Sequence, residues 1–145
     1  MPLEEIKSLE RRSYEECNKG EVAAMAMLDE LFADDVVWHS ATGRDIHGLD
    51  SLKQSFGDAY RTFPDSHFTL DDMVVEGDKA ATRFAFTGTH RSGFGGIAPT
   101  NKKVNAWAIS IARIAEGKFI EVWERYDTLG WMRELGLAPR PGERK

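Results

Sequence analysis

Two glycine-centred turns, Glu76-Gly77-Asp78 and Glu116-Gly117, constrain this chain more than any other feature. Each separates two stretches rich in β-branched and aromatic residues, and neither leaves room for the helix that a parallel crossover needs. Residues 68–75, 80–88, 103–114 and 119–126 are therefore predicted to be strands of an antiparallel meander.

Upstream the apolar period changes. Leu3, Ile6, Leu9 and Cys17 recur near helical spacing and predict a helix over residues 2–18, with Gly20 placed to end it. Val22, Met25, Leu28 and Leu31 or Phe32 predict a second over 21–32. Residues 36–39 alternate as a short strand, 40–48 read as a loop, and Leu49, Leu52, Phe56 and Tyr60 predict a third helix stopped by Phe63-Pro64-Asp65. A last helix is expected over 128–135, ending at Gly136, with residues 1–2 and 138–145 as flexible ends. The expected fold is α+β: one curved antiparallel sheet wrapped by three to four helices, a cone-shaped barrel with an internal pocket. All 145 residues are expected to form a single domain.

Composition narrows the function. With 19 Lys and Arg against 24 Asp and Glu, scattered along the chain, the net charge of -5 argues against a nucleic-acid partner. No apolar run approaches the roughly 18 residues of a membrane span, and the charged amino end is not signal-like, so a cytoplasmic protein with no membrane partner is expected. Cys17 has no partner for a disulfide, and His39, His47, His67 and His90 are dispersed, so no metal is expected.

The turn at Glu116-Gly117 decides which strand residues share a face. A two-residue loop would require positive φ at Glu116, whereas a three-residue loop places only Gly117 there, and the latter is expected. Ile114 then pairs with Lys118, setting Ile111 opposite Glu121, Ile109 opposite Trp123, Trp107 opposite Arg125 and Asn105 opposite Asp127. One face carries Asn105, Trp107, Ile109, Ile111, Arg113, Glu121, Trp123 and Asp127 and is assigned to the pocket. The other carries Ala106, Ala108, Ser110, Ala112, Ile120, Val122 and Tyr126 and is assigned to a homodimer interface.

In that arrangement Asp127 is a candidate general base, its pKa raised by desolvation and its carboxylate oriented by Asn105; the alternative is that it caps the helix starting at Thr128. His39 is a candidate proton shuttle, with a structural histidine as its alternative. Asn105, Trp107, Ile109, Ile111, Arg113 and Trp123 are candidate substrate contacts, though Arg113 and Glu121 could instead form an ion pair. Gly93-Phe94-Gly95-Gly96 links two strands, which disfavours a phosphate loop and suggests a lid over residues 93–100, with Phe94 as a ligand contact.

Phe63-Pro64-Asp65, Glu76-Gly77-Asp78-Lys79, Gly88-Thr89-His90, Pro99-Thr100, Gly117-Lys118, Glu121-x-Trp123 and Asp127 follow in an order that resembles the SnoaL-like polyketide cyclases of the nuclear transport factor 2-like superfamily. The resemblance covers residues 39–137. It implies a commonly dimeric cone and, in characterised cyclases, a cofactor-free intramolecular aldol condensation for which Asp127 matches the acid/base aspartate. The ligand so implied is an apolar or polycyclic carbonyl compound. An isomerase, dehydratase or hydrolase, or a non-catalytic binding protein for a hydrophobic small molecule, would use the same pocket. Asn101 departs from the glycine that many relatives place after Pro-Thr.

Overall fold

A computed structural model describes residues 1–93 and 96–142. The chain runs α1 (Leu3–Cys17), α2 (Glu21–Leu31), β1 (Phe32–His39), β2 (Asp45–His47), α3 (Leu49–Thr62), β3 (His67–Glu76), β4 (Lys79–Thr89), β5 (Lys103–Ala115), β6 (Lys118–Tyr126) and α4 (Thr128–Glu134). The strands make one curved, unclosed sheet in the order β2-β1-β6-β5-β4-β3. From β3 to β6 it is the antiparallel meander that the short turns require.

Two features differ from expectation. β1 lies parallel to β6, so the sheet is mixed rather than wholly antiparallel; the whole meander separates the two strands in sequence and supplies the long connection a parallel pair needs. Residues 40–48 also contain β2, antiparallel to β1. Its three residues are too few to show a period. α2 stops at Leu31 because Phe32 has extended backbone and opens β1.

The helices close over one face of the sheet. Ile6, Leu28 and Leu52 from α1, α2 and α3 pack with Val36, Ala112, Phe119 and Val122 into the larger core. Phe63, Phe86, Val104, Ala106 and Leu135 form a smaller one beneath α4.

The β5–β6 hairpin corrects the expected turn. Ala115 pairs with Lys118, and both Glu116 (φ 53°) and Gly117 (φ 76°) are left-handed, as in a two-residue type I′ loop. The match between this turn and the strand twist outweighs the roughly 1–2 kcal/mol that the left-handed region costs glutamate. A bulge then leaves Ile120 unpaired, so Arg113 pairs with Glu121, Ile111 with Trp123 and Ile109 with Arg125. The register is two residues from the one expected. Because a shift of two preserves parity, the residues sharing a face are those expected.

Several motifs prove to be clamps. Asp65 accepts from the Thr89 amide and hydroxyl, both at 2.7 Å, tying the end of α3 to β4. Gly88 permits this approach, since a Cβ there would lie 2.9 Å from the Phe86 ring and 3.0 Å from Phe63 Cβ. Buried His90 accepts from the Thr100 amide at 3.1 Å through Nδ1. Asn101 has φ 57°, so it occupies the left-handed conformation that a glycine would adopt without strain.

Candidate active site

Register places the inward-facing side chains of the sheet in rows. Trp38, Val122, Ala112 and Ala80 make one row across β1, β6, β5 and β4. Thr82, Ser110 and Glu124 make the next, followed by Phe84, Ala108 and Tyr126. A polar band thus crosses an apolar wall. Facing it, α1 contributes Glu10, Ser13, Tyr14 and Cys17, and α3 contributes Leu52, Phe56 and Tyr60. Together they line a cavity of about 270 Å³, near the lower end of the roughly 300–1,000 Å³ common for ligand sites. The exposed residues Thr42 and Ala59 also line it and mark an opening between the β1–β2 loop and α3.

The cavity is acidic and aromatic. Among the described residues, no Lys, Arg or His lines it, whereas Glu10 and Glu124 both do. Burial pushes the Glu10 carboxyl up to about 8 and that of Glu124 up to about 7, because neither anion has a cation to replace lost water. Glu124 is half-buried and lines the cavity. The Tyr14 and Thr82 hydroxyls are 2.8 Å apart, and Tyr60 donates to the Cys17 carbonyl at 2.6 Å. Burial raises the tyrosines further above their usual range and pushes the Cys17 thiol up to about 11, leaving it unreactive.

The pocket face expected from the sequence is the outer one. Trp107, Ile109 and Ile111 are 53%, 45% and 40% exposed, and Asn105 is also exposed. Neither they nor Arg113, Trp123, His39 and Asp127 line the cavity. On the concave side of a bent sheet side chains converge, so β5 presents small residues there and its bulky ones outside. Ala106, Ala108, Ser110 and Ala112 accordingly face inward, correcting their assignment to a dimer interface.

Asp127 caps α4: its Oδ1 accepts from the Gly130 amide at 3.0 Å. Asn105 pairs with Thr87, and its backbone N–H donates to the Glu134 carboxylate at 2.6 Å. His39 bridges Asp45 (2.8 Å) and Glu121 (2.7 Å) and stacks on Trp123 with ring centres 5.3 Å apart. Those two carboxylates, Glu121 foremost, raise the His39 pKa. Arg113 completes this outer network at 2.8 Å from Glu121, which is the ion pair foreseen as an alternative. Phe94 lies outside the described residues, and residues 96–100 do not line the cavity.

The two cavity carboxyls escaped the sequence reading. Glu124 stands between Val122 and Tyr126 on an alternating strand, and Glu10 stands one turn after Ile6. A charged residue at an inward position of an otherwise apolar period was the available signal. No group of three or more His, Cys, Asp or Glu among the described residues is disposed to hold a metal ion, and no helix there is long and apolar enough to cross a membrane.

Comparison with known proteins agrees with this architecture. The sequence profile of the SnoaL-like polyketide cyclases matches residues 8–135. TsrD from Streptomyces laurentii is 26% identical, with 95% of this chain and 99% of its own covered and a TM-score of 0.83. Wild-type IdmH from Streptomyces antibioticus is 27% identical, with 90% and 97% covered and a TM-score of 0.76. A SnoaL-like polyketide cyclase from Agrobacterium tumefaciens is 21% identical, with 90% and 97% covered and a TM-score of 0.75, a likeness that speaks to fold alone. No curated protein sequence matches.

Proposed function

Since this chain belongs to the SnoaL-like polyketide cyclase family, we propose that it is a small-molecule enzyme using its internal cavity for acid/base chemistry on an apolar carbonyl compound, with Glu124 as the base. The observation that carries this reading is a carboxyl in an apolar cavity with a pKa near neutrality, where it can hold or release a proton at working pH. Asp127, the base expected from the resemblance, has an exposed carboxylate engaged at the start of α4, so the role passes to Glu124.

In the proposed reaction Glu124 takes a proton from a carbon beside a carbonyl. The electron pair of that C–H bond becomes an enolate, which attacks a second carbonyl of the same molecule and closes a ring. The new alkoxide recovers the proton from Glu124. Isomerisation or dehydration would share the first step. Proton transfer between carbon and a carboxylate requires no redox group. The cavity volume favours a ligand of two or three fused rings. We also propose a cytoplasmic location, and a homodimer formed through the outer sheet face, the latter supported by the exposed side chains of Trp107, Ile109 and Ile111.

The test uses 2-tetralone, an apolar bicyclic ketone, in deuterated buffer with loss of the protons beside its carbonyl followed by NMR. Exchange is expected to exceed that of buffer, to fall at least about a hundredfold in Glu124→Gln, and to persist in Asp127→Asn. Binding without accelerated exchange would leave a non-catalytic binding protein. Exchange unaffected by Glu124→Gln would remove that residue as the base.

A further inference from the structure

The cavity holds one more carboxyl than a single base requires. Glu10 is 4% exposed, lines the cavity, and lies one turn before Tyr14 on α1. Among the described residues, its side chain has no hydrogen-bonding partner, while its backbone carbonyl is engaged by Ser13 at 2.7 Å. Burying a charged carboxylate without a partner is costly, so the neutral acid is the form this site favours. A neutral carboxylic acid is a hydrogen-bond donor. A ligand oxygen in this cavity would give that proton an acceptor.

Glu10 and Glu124 reach the cavity from different walls. Glu10 comes from the helical side, and Glu124 from the polar row that continues through Ser110 and Thr82. Tyr14, which lines the same cavity, feels the charge of both. Burial raises the pKa of each. Two proton-bearing groups thus share one ligand space.

We propose that Glu10 is the acid partner of Glu124: as Glu124 removes the proton beside a carbonyl, Glu10 delivers its own proton to that carbonyl's oxygen. The inference rests on Glu124 being the base. The substrate C–H bond breaks, its electron pair forms the carbon–carbon double bond of an enol, and the carbonyl π pair takes the Glu10 proton. When the enol carbon attacks the second carbonyl, the first oxygen returns its proton to Glu10 and the new alkoxide takes the one held by Glu124. Both carboxyls are restored and the product is an isomer of the substrate. Donation at the oxygen where charge develops is the kind of interaction that lowers the barrier rather than merely binding the ground state. The substrate is accordingly a neutral ketone whose oxygen points towards α1. A carboxylate or phosphate beside two carboxyls and no cation would be rejected.

The titratable groups sharing the cavity with Glu10 are Glu124, Tyr14, Cys17, Tyr60 and Tyr126. The thiol and phenols lose protons well above pH 8, which leaves Glu10 to set an alkaline limb near 8 and Glu124 an acid limb near 7.

Two measurements test the assignment. 2-Tetralone exchange is followed from pH 5 to 10 in wild type and Glu10→Gln, which keeps the shape of the side chain but has no acidic proton. The variant is expected to lose about tenfold or more in rate together with the alkaline limb. Separately, Glu10→Gln and Glu10→Ala are titrated with 2-naphthol, whose oxygen mimics the enol, and with naphthalene, which has none. Glu10→Ala should weaken 2-naphthol about tenfold and leave naphthalene unchanged. A wild-type rate with an intact alkaline limb in Glu10→Gln, or equal losses for both aromatic probes, would overturn the role of Glu10. If Glu124→Gln still abolished exchange in that case, the base assignment would stand alone.

Discussion

Glu10 and Glu124 show how one letter out of phase with its neighbours carries chemical information. On α1, Ile6, Glu10 and Cys17 are buried along one side, so the helical stripe is apolar except where the carboxyl interrupts it. Glu10 also makes stability depend on pH. Its carboxyl titrates at about 8 in the folded protein against 4.5 for the ordinary group, so between those values the folded chain binds the proton that the unfolded chain has lost. The Glu10 contribution is greatest below pH 4.5, falls as pH rises from 4.5 to 8, and is level above. Glu10→Gln removes this penalty. Urea unfolding at pH 5 and 8.5 should show the variant gaining on wild type by at least on the order of 2 kcal/mol, at about 1.36 kcal/mol per pKa unit. A constant difference between variant and wild type would mean that Glu10 is ionised in the fold.

Among the elements, the β5–β6 hairpin shows why register is hard to read from sequence. The strain of a left-handed glutamate favours one turn, but Glu116 adopts that conformation and the bulge at Ile120 compensates for the shortened loop. Asn tolerates the left-handed region better than Glu. Glu116→Asn is therefore expected to stabilise the protein by roughly 0.5–1 kcal/mol, while Gly117→Ala should destabilise it by about 1 kcal/mol or more, both read from thermal melts. Equal melting temperatures for Glu116→Asn and wild type would show that residue 116 stores no strain. The expected β-strands of the meander, by contrast, were legible to within two residues at each end, because alternation and short turns are local signals.

For the whole molecule, the proposed association rests on the outer sheet face. Trp107, Ile109 and Ile111 form an exposed apolar strip on β5, which is paired on both sides and cannot extend the sheet by an edge. A second copy covering this face would bury it. Light scattering after gel filtration should find a dimer for wild type and a monomer for Ile109→Glu, whereas Val22→Glu, at an exposed position of α2, should leave the dimer intact. A monomeric wild type at micromolar concentration would refute this assembly. From the sequence alone came the helices, the meander, the family resemblance and the two sets into which β5 and β6 sort their side chains, because each follows from local period and turn length. Only the tertiary structure decided which set faces inward, since a period of two separates two faces without labelling them. That label depends on the direction in which the sheet bends and the side on which the helices land. The same folding brings Glu10 of α1 and Glu124 of β6 into one cavity, a meeting of two distant parts of the chain that no local pattern encodes.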